Sequence, residues 1–379
     1  MYNYILLKIK QHLNFVQFGV EVNMIFVPID NICEGMVLAK DVKIYYHEPN
    51  NVDLLKEGYK LTHYNIERLK KLGSVGLYVY DEGEADRRPV RILDDAIKVE
   101  AISELEKLFS SLDRNPRILE DSALYGINDV SNKIVDSILS NKKYMVNILD
   151  LKMYDDYTYH HSLSVSVLSA AIGLSLELDD KALFDLSLCA LLHDIGKTKL
   201  ARSLINKPTK LTDEEFEIIK SHPLRGGKCI VKNELINERI YNGIISHHEK
   251  YDGTGYPFMV KGKEIPLFGR IIAVADVYDA LTSSRPYRKP ASPSEAIEYI
   301  MGANGIMFDP DIVSAFLRKI APYPINDYVK LSNGKIGIVI RLFPENPLRP
   351  ELKIIGERNV YYNLYEDHNL YNIVITQSL

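Results

Sequence analysis

The chain has 379 residues, 46% of them hydrophobic and 26% charged, a length that predicts two to three domains and at least one sizeable core. These fractions exclude disorder as the main state, and no run approaches the ~20 uninterrupted apolar residues of a membrane-spanning helix, so no membrane insertion is expected. A net charge of −5 lacks the basic excess of a protein that coats nucleic-acid phosphates; it argues against a DNA or RNA duplex as partner and requires any anionic ligand to be met by a local positive site.

In chain order, residues 1–23 offer Ile5 to Leu7 and then Lys8 and Lys10, too short an apolar stretch for a secretory signal, and they read as an N-terminal extension ahead of a start at Met24. From 24 to 80 short β-rich runs (IFVPI, MVLA, VKIYY, VGLYVY) surround the helical segment THYNIERLKKLG, capped by Thr62 and closed at Gly73, which predicts a small α+β module. The stretch DEGEADRRPVR at 81–91 reads as a linker, continued to 124 by a connector helix with Ile92, Ala96, Val99 and Ile102 at helical spacing. Residues 125–321 carry almost nothing but helical periodicity, with a capping box at Thr212 and Glu215, and predict an all-α core domain. After Pro322 and Pro324 the period changes to two, DYVKLSNGKIGIVIRLF reads as a hairpin across Asn333-Gly334, and 322–379 closes the chain as a small all-β module. Cys33, Cys189 and Cys229 form no CxxC pair, which argues against a disulfide framework or structural zinc finger and points to a reducing, cytoplasmic compartment.

Six of the ten histidines fall between 160 and 248. His161 continues the stripe Val165, Leu168, Ile172; His193 follows Leu186 and Cys189; His222 follows Ile218 and Ile219; His247 follows Ile240 and Ile244. Four helices thus aim imidazoles into one core. Asp194 follows His193 at a helix end closed by Gly196, and Asp276 lies inside the apolar run RIIAVADVYDAL, where it shares a face with Ile272 and Asp279. A buried carboxylate needs a cation that neutral imidazoles do not supply, and a divalent metal supplies it. Mixed imidazole and carboxylate ligation suits iron, manganese, nickel or zinc rather than calcium or magnesium. His161, His193, Asp194, His222, His247, His248 and Asp276 are too many ligands for one ion, whereas a shared Asp194 would hold two ions about 3.5–4 Å apart. Taken singly each piece has a plainer reading: a helical histidine is more often a satisfied core or surface residue, His247 and His248 can be one buried and one exposed, and Asp276 can cap a neighbouring helix or pair with Arg270 or Arg285. The ordered set carries the argument.

The strings DDYTYHHSLSV, LLHDIGK, SHPLRGG, SHHEKYDGTGYP and GRIIAVADVYDALTSSRPYR, in this order, resemble the HD-GYP family, the bacterial cyclic di-GMP phosphodiesterases. Both name-giving elements stand intact as His193-Asp194 and Gly255-Tyr256-Pro257. The resemblance implies an all-α bundle with a bimetal or trimetal centre and carries the seven ligands over: one ion on His161, His193, Asp194 and Asp276, the other on Asp194, His222, His247 and His248. It further implies that Lys197 meets the scissile phosphate or the activated water, that Arg285 and Arg288 hold substrate phosphates, and that Tyr256 lines the cleft. Asp279 is a candidate for orienting a ligand histidine, with a plain surface-network role as the alternative. One departure is visible: relatives with a third metal place a glutamate four residues before the first histidine, where this chain has Tyr157, so two metals are expected, with linear pGpG as the expected product and less efficient cleavage on to GMP.

Two cations would lower the pKa of a shared water towards neutrality and neutralise the phosphoryl oxygens it attacks, with Lys197 aimed at the growing charge. Arg285 and Arg288 would be the local clamp that lets an acidic chain hold a dianionic dinucleotide. Cyclic GMP-AMP is an alternative substrate, since metals and clamps do not read the base. A non-catalytic receptor or signalling adaptor is the reading of a different class; it would show a broken ligand set or a replaced Lys197, and here both are intact. The C-terminal strands read as a packing module, with a homodimer compatible with that role.

Overall fold

A computed structural model of the protein describes residues 23–44 apart from 30 and 31, 52–81 apart from 73 and 75, 92–114, 121–151 apart from 143 and 144, 157–283 apart from 206 and 208, and 290–378 apart from 356, 358 and 359. The expected extension, apart from Asn23, and the linker, apart from Asp81, lie outside the described residues.

The N-terminal part pairs β1 (Asn23–Pro28) antiparallel with β4 (Gly76–Asp81), and β2 (Val42–Ile44) with β3 (Val52–Leu55). Between β3 and β4 runs α1 (His63–Lys71), whose N-cap Thr62 accepts from the Asn65 N–H at 3.3 Å and so satisfies one of the orphan donors of the first turn. Ile66 and Leu69, three apart on one helix face, close a small core with Val27, Leu38, Leu61, Leu77 and Val79.

The connector expected up to 124 is two helices, α2 (Asp95–Arg114) and α3 (Asp121–Ser140), and neither stands apart from the core. Leu105, Leu108 and Leu112 of α2 and Ile127, Val130 and Ile134 of α3 share one apolar cluster with Leu168, Leu191 and Ile272. A helix with a continuous apolar stripe buries it against its neighbours, so the helical core reaches back to Ile92, and the boundary expected at 125 falls inside α3.

Two helices form the middle of this core. In α4 (Tyr157–Ser175) the apolar residues Leu163, Val165, Val167, Leu168 and Ile172 are buried on all sides, interleaved with small serines of which Ser166 donates to the Ser187 carbonyl at 3.0 Å. It packs on α5 (Asp180–Leu192), and the comparably apolar α10 (Leu267–Thr282) lies against it. Between α5 and α10 come α6 (Arg202–Ile205), α7 (Asp213–Lys220), α8 (His222–Ile230) and α9 (Glu238–Ser246); α11 (Pro293–Gly302) and α12 (Pro310–Leu317) follow. The Thr212–Glu215 capping box forms as expected. The segment ahead of α4 is tied to the end of the helical core: the Val146 N–H donates to the Lys319 carbonyl at 2.6 Å and the Ala321 N–H to the Val146 carbonyl at 2.9 Å.

The C-terminal part is one antiparallel sheet of β5 (Tyr328–Leu331), β6 (Ile336–Arg341), β7 (Glu351–Ile354), β8 (Tyr361–Asn363) and β9 (Ile375–Ser378), in spatial order β8-β7-β6-β5-β9. Its first hairpin turns across Asn333-Gly334, where Gly334 takes φ +81°, a value that costs a glycine nothing. Alternate residues Val329, Leu331, Val339, Leu352 and Ile354 face its core, and Leu348 packs against both this core and the helical one.

Candidate metal centre

Helix ends build most of this site. His193 caps the end of α5, His247 caps the end of α9 with His248 next, and His222 opens α8 after the break at Ser221. At each of the three places the imidazole Nδ1 lies within hydrogen-bond distance of the carbonyl three residues back: Ala190 at 2.7 Å, Ile219 at 2.8 Å and Ile244 at 2.7 Å. Those carbonyls belong to last helical turns, where the regular bond from four residues on is no longer available. A carbonyl only accepts, so each Nδ1 carries the proton and each Nε2 presents its lone pair to the centre. The sequence reasoning placed His222 on an inward stripe with Ile218 and Ile219; in fact Ile218 is 47% exposed, and the chain break between α7 and α8, not a shared helix face, turns the ring inward.

His161, near the start of α4, is held differently. Its Nδ1 meets Asp279 Oδ2 of α10 at 2.7 Å, and the Ser283 hydroxyl donates to the same oxygen at 3.2 Å. Its Nε2 faces Asp276 Oδ1 at 3.2 Å. Gly196 does not close a helix through a left-handed turn. It sits in the short 3-10 turn Ile195–Lys199, and a Cβ there would lie 1.9 Å from the His222 carbonyl oxygen and 2.5 Å from the Gly226 nitrogen. Glycine is what lets α8 carry His222 up to Asp194.

Asp194 stands in the middle with its two oxygens divided. Oδ1 lies 3.3 Å from His222 Nε2 and 4.0 Å from His247 Nε2, whereas Oδ2 lies 3.4 Å from His193 Nε2 and 3.7 Å from His161 Nε2. Two groups of donors result, Asp194 with His222, His247 and His248, and His161 with His193 and Asp276; within each the ligand atoms lie within 4.8 Å of one another. Whether a metal fits is decided by the lone pairs. His222 Nε2 and His247 Nε2 face each other at 3.3 Å, and His193 Nε2 and Asp194 Oδ1 are buried without a well-formed hydrogen bond. Electron pairs held this close repel unless a cation lies between them, so the donor set fits divalent metal.

The protonation states agree. Burial pushes His248 down to about 3 although Asp276 opposes it, and burial followed by the neighbouring rings of His248, His193 and His222 holds His247 well below its usual range. Burial would raise the two carboxyls, yet the Lys197 ammonium and the His193 ring hold Asp194 far below the usual carboxylate range, and His161 does the same for Asp276. Burial would also lower His161, but the Asp276 and Asp279 carboxylates outweigh it and hold that ring up to about 9. Neutral imidazoles and ionised carboxylates are the forms that bind metal, and the proton on His161 occupies the place of a cation.

Around this core Lys197 Nζ, partly exposed, bonds Asp194 Oδ2. The Tyr256 ring lies on His248 with centroids 4.8 Å apart, and the Tyr256 N–H donates to the His248 carbonyl at 3.2 Å. Gly255 is required by close approach, since a Cβ would lie 2.2 Å from the Lys250 nitrogen. Glu249, which the sequence reasoning passed over, is buried; its Oε1 accepts from the N–H groups of Phe258 and Met259 at 2.6 and 3.2 Å and ties the loop down. Its signal was its place directly after His247-His248. A cavity of about 430 Å³ opens over His161, Lys197, His222, His248 and Asp276 and is also lined by Tyr299, which reads in the sequence only as an aromatic on a helix. Arg285 and Arg288 and the side chain of Tyr157 lie outside the described residues.

Residues 138–312 match the family model described as HD domain, and the chain is 35% identical over 269 residues to a cyclic di-GMP phosphodiesterase of Pseudomonas aeruginosa, covering 70% of this chain and 65% of that protein. The segment 138–312 of the helical core is thus similar to an HD domain. Further relatives include a cyclic di-GMP phosphodiesterase of Thermotoga maritima, 36% identical over 46% of this chain and 49% of that one. A 3'3'-cGAMP-specific phosphodiesterase of Vibrio cholerae is 36% identical over 49% of this chain and 40% of its own length. The chain thus spans less than two thirds of these relatives.

Proposed function

We propose that this chain is a metal-dependent phosphodiesterase that opens cyclic di-GMP to linear pGpG with two divalent transition-metal ions, iron or manganese ahead of nickel or zinc. The observation that carries the reading is Asp194, one oxygen turned to each of two buried donor groups beneath an open cavity. His161, His193, Asp194 and Asp276 would hold one ion, and Asp194, His222, His247 and His248 the other. When bound, such a pair supplies an acidified water and neutralises phosphoryl oxygens.

The chain's own residues do the rest. Asp279 would keep one His161 proton on Nδ1, so that Nε2 could donate its lone pair once a metal ion takes the place of the other proton. Lys197, at the cavity wall, is the cation for the negative charge that grows on the phosphoryl group. Tyr256 lines the same cavity, and Arg285 and Arg288 would be the planar forks that grip phosphate on a chain of net charge −5. Tyr157 in place of a third-metal glutamate supports two ions and a product that accumulates as pGpG. The 24–80 and 322–379 parts are accessory in this reading, and a cytoplasmic homodimer is its setting. The Vibrio cholerae relative named for 3'3'-cGAMP supports a second reading, the same chemistry on cyclic GMP-AMP.

Anaerobic purification with metal analysis, then incubation with each cyclic dinucleotide under manganese or iron(II), tests this. About two metals per chain, accumulating linear product and an inactive Asp194→Ala are the expected results. Tight nucleotide binding without turnover under every metal would make the protein a receptor instead.

A further inference from the structure

The metal centre accounts for the floor of the cavity but not for its rim. A cyclic dinucleotide brings two phosphates and two purines, and with one phosphate on the floor at least one purine must lie against a wall. Among the described residues two tyrosines line that cavity, Tyr256 and Tyr299. The Tyr256 ring is already engaged: His248 lies on it with centroids 4.8 Å apart, and the Lys220 ammonium stands 5.9 Å from its centroid.

Tyr299 is placed otherwise. It is 47% exposed, and among the described residues its ring has no aromatic or cationic neighbour. Only its tip is fixed, the hydroxyl donating to Met307 Sδ at 3.5 Å. The helix that carries it is rigid: Ser292 and Glu295 form a capping box at its start, and Ala296, Ile297 and Ile300 anchor it in the core. A half-exposed tyrosine on a fixed helix, at the edge of a cavity with a cationic and metal-binding floor, offers a flat apolar face of low conformational entropy.

Resting on the phosphodiesterase reading, we propose that Tyr299 is the platform on which one purine of the cyclic dinucleotide stacks. Stacking uses the π-face that every base has, so Tyr299 sets affinity for the substrate class and does not choose between guanine and adenine.

The test uses the metal-loaded protein with bis(p-nitrophenyl) phosphate as reporter and reads the inhibition constants of cyclic di-GMP and of inorganic phosphate, which has no base. Tyr299→Ala is expected to raise the constant for cyclic di-GMP about ten-fold, with that for phosphate and the reporter kcat within about two-fold, and Tyr299→Phe to behave as wild type. The 3'3' cyclic GMP-AMP constant should move in parallel. An unchanged cyclic di-GMP constant in Tyr299→Ala, or an equal loss for phosphate, overturns the platform while leaving the phosphodiesterase reading intact. Failure of the dinucleotide to inhibit the wild type would sink both, and it shows before any variant is made.

Discussion

At the scale of single residues the centre divides into two kinds of anchor. His193, His222 and His247 rest on carbonyls, whereas His161 rests on the Asp279 carboxylate. Asp279→Ala removes the only side-chain anchor among these four and is expected to weaken metal binding by about 10–100-fold, with Asp279→Asn, which keeps an acceptor, losing less. Competition with a chelating dye reads this; equal affinity in Asp279→Ala and wild type would show that the contact is incidental. These residues were legible from the sequence because buried histidines and carboxylates have few other reasons to recur together. Tyr299 and Glu249 were not: one is an ordinary outward aromatic on an amphipathic helix, the other an ordinary glutamate until the fold buries it.

At the scale of elements, the approach of α8 to the 3-10 turn after Asp194 depends on Gly196. A methyl group 1.9 Å from the His222 carbonyl oxygen cannot be relieved by a rotamer change, because what it meets is backbone. Gly196→Ala is therefore expected to cost about 1–3 kcal/mol and to lower metal content, His222 being pushed away from Asp194. Thermal unfolding and metal analysis on the same sample check it, and wild-type values in both would refute the close-packing argument. Capping signals at Thr62, Thr212 and Asn333-Gly334 read correctly because they are local chemistry. The break at Ser221 did not, because a helix that stops and restarts within one residue leaves the periodicity of the sequence unbroken.

At the scale of the whole molecule, the helical and β parts meet near 320–330, and there a carboxyl is buried. Asp327, 8% exposed, accepts from the Ser378 hydroxyl at 2.7 Å, which ties the last strand to the first of its sheet. Burial pushes its pKa from 3.8 up to about 7, against the opposing hydrogen bond from Ser378. A carboxyl whose folded pKa is raised favours the folded state fully below its unfolded pKa, and that contribution is lost as pH rises from about 4 to 7. Asp327→Asn is thus expected to unfold several degrees higher than wild type at pH 8, with the advantage gone near pH 4. Parallel pH profiles for the two proteins would exclude Asp327 as the source. The change of period at Pro322 made this junction visible in the sequence, whereas the earlier boundary was placed at 125 because a connector helix and a core helix carry the same apolar stripe until the partner they bury it against is known.

The three carbonyl-anchored rings have a consequence for how such a centre endures mutation. Their acceptors are main-chain atoms, present whatever side chain occupies positions 190, 219 and 244, so changes there can loosen packing but cannot delete the anchor. Drift in sequence therefore threatens the orientation of three of these four histidines only through the course of the backbone, and the hereditary weak point of the set is the single codon for Asp279.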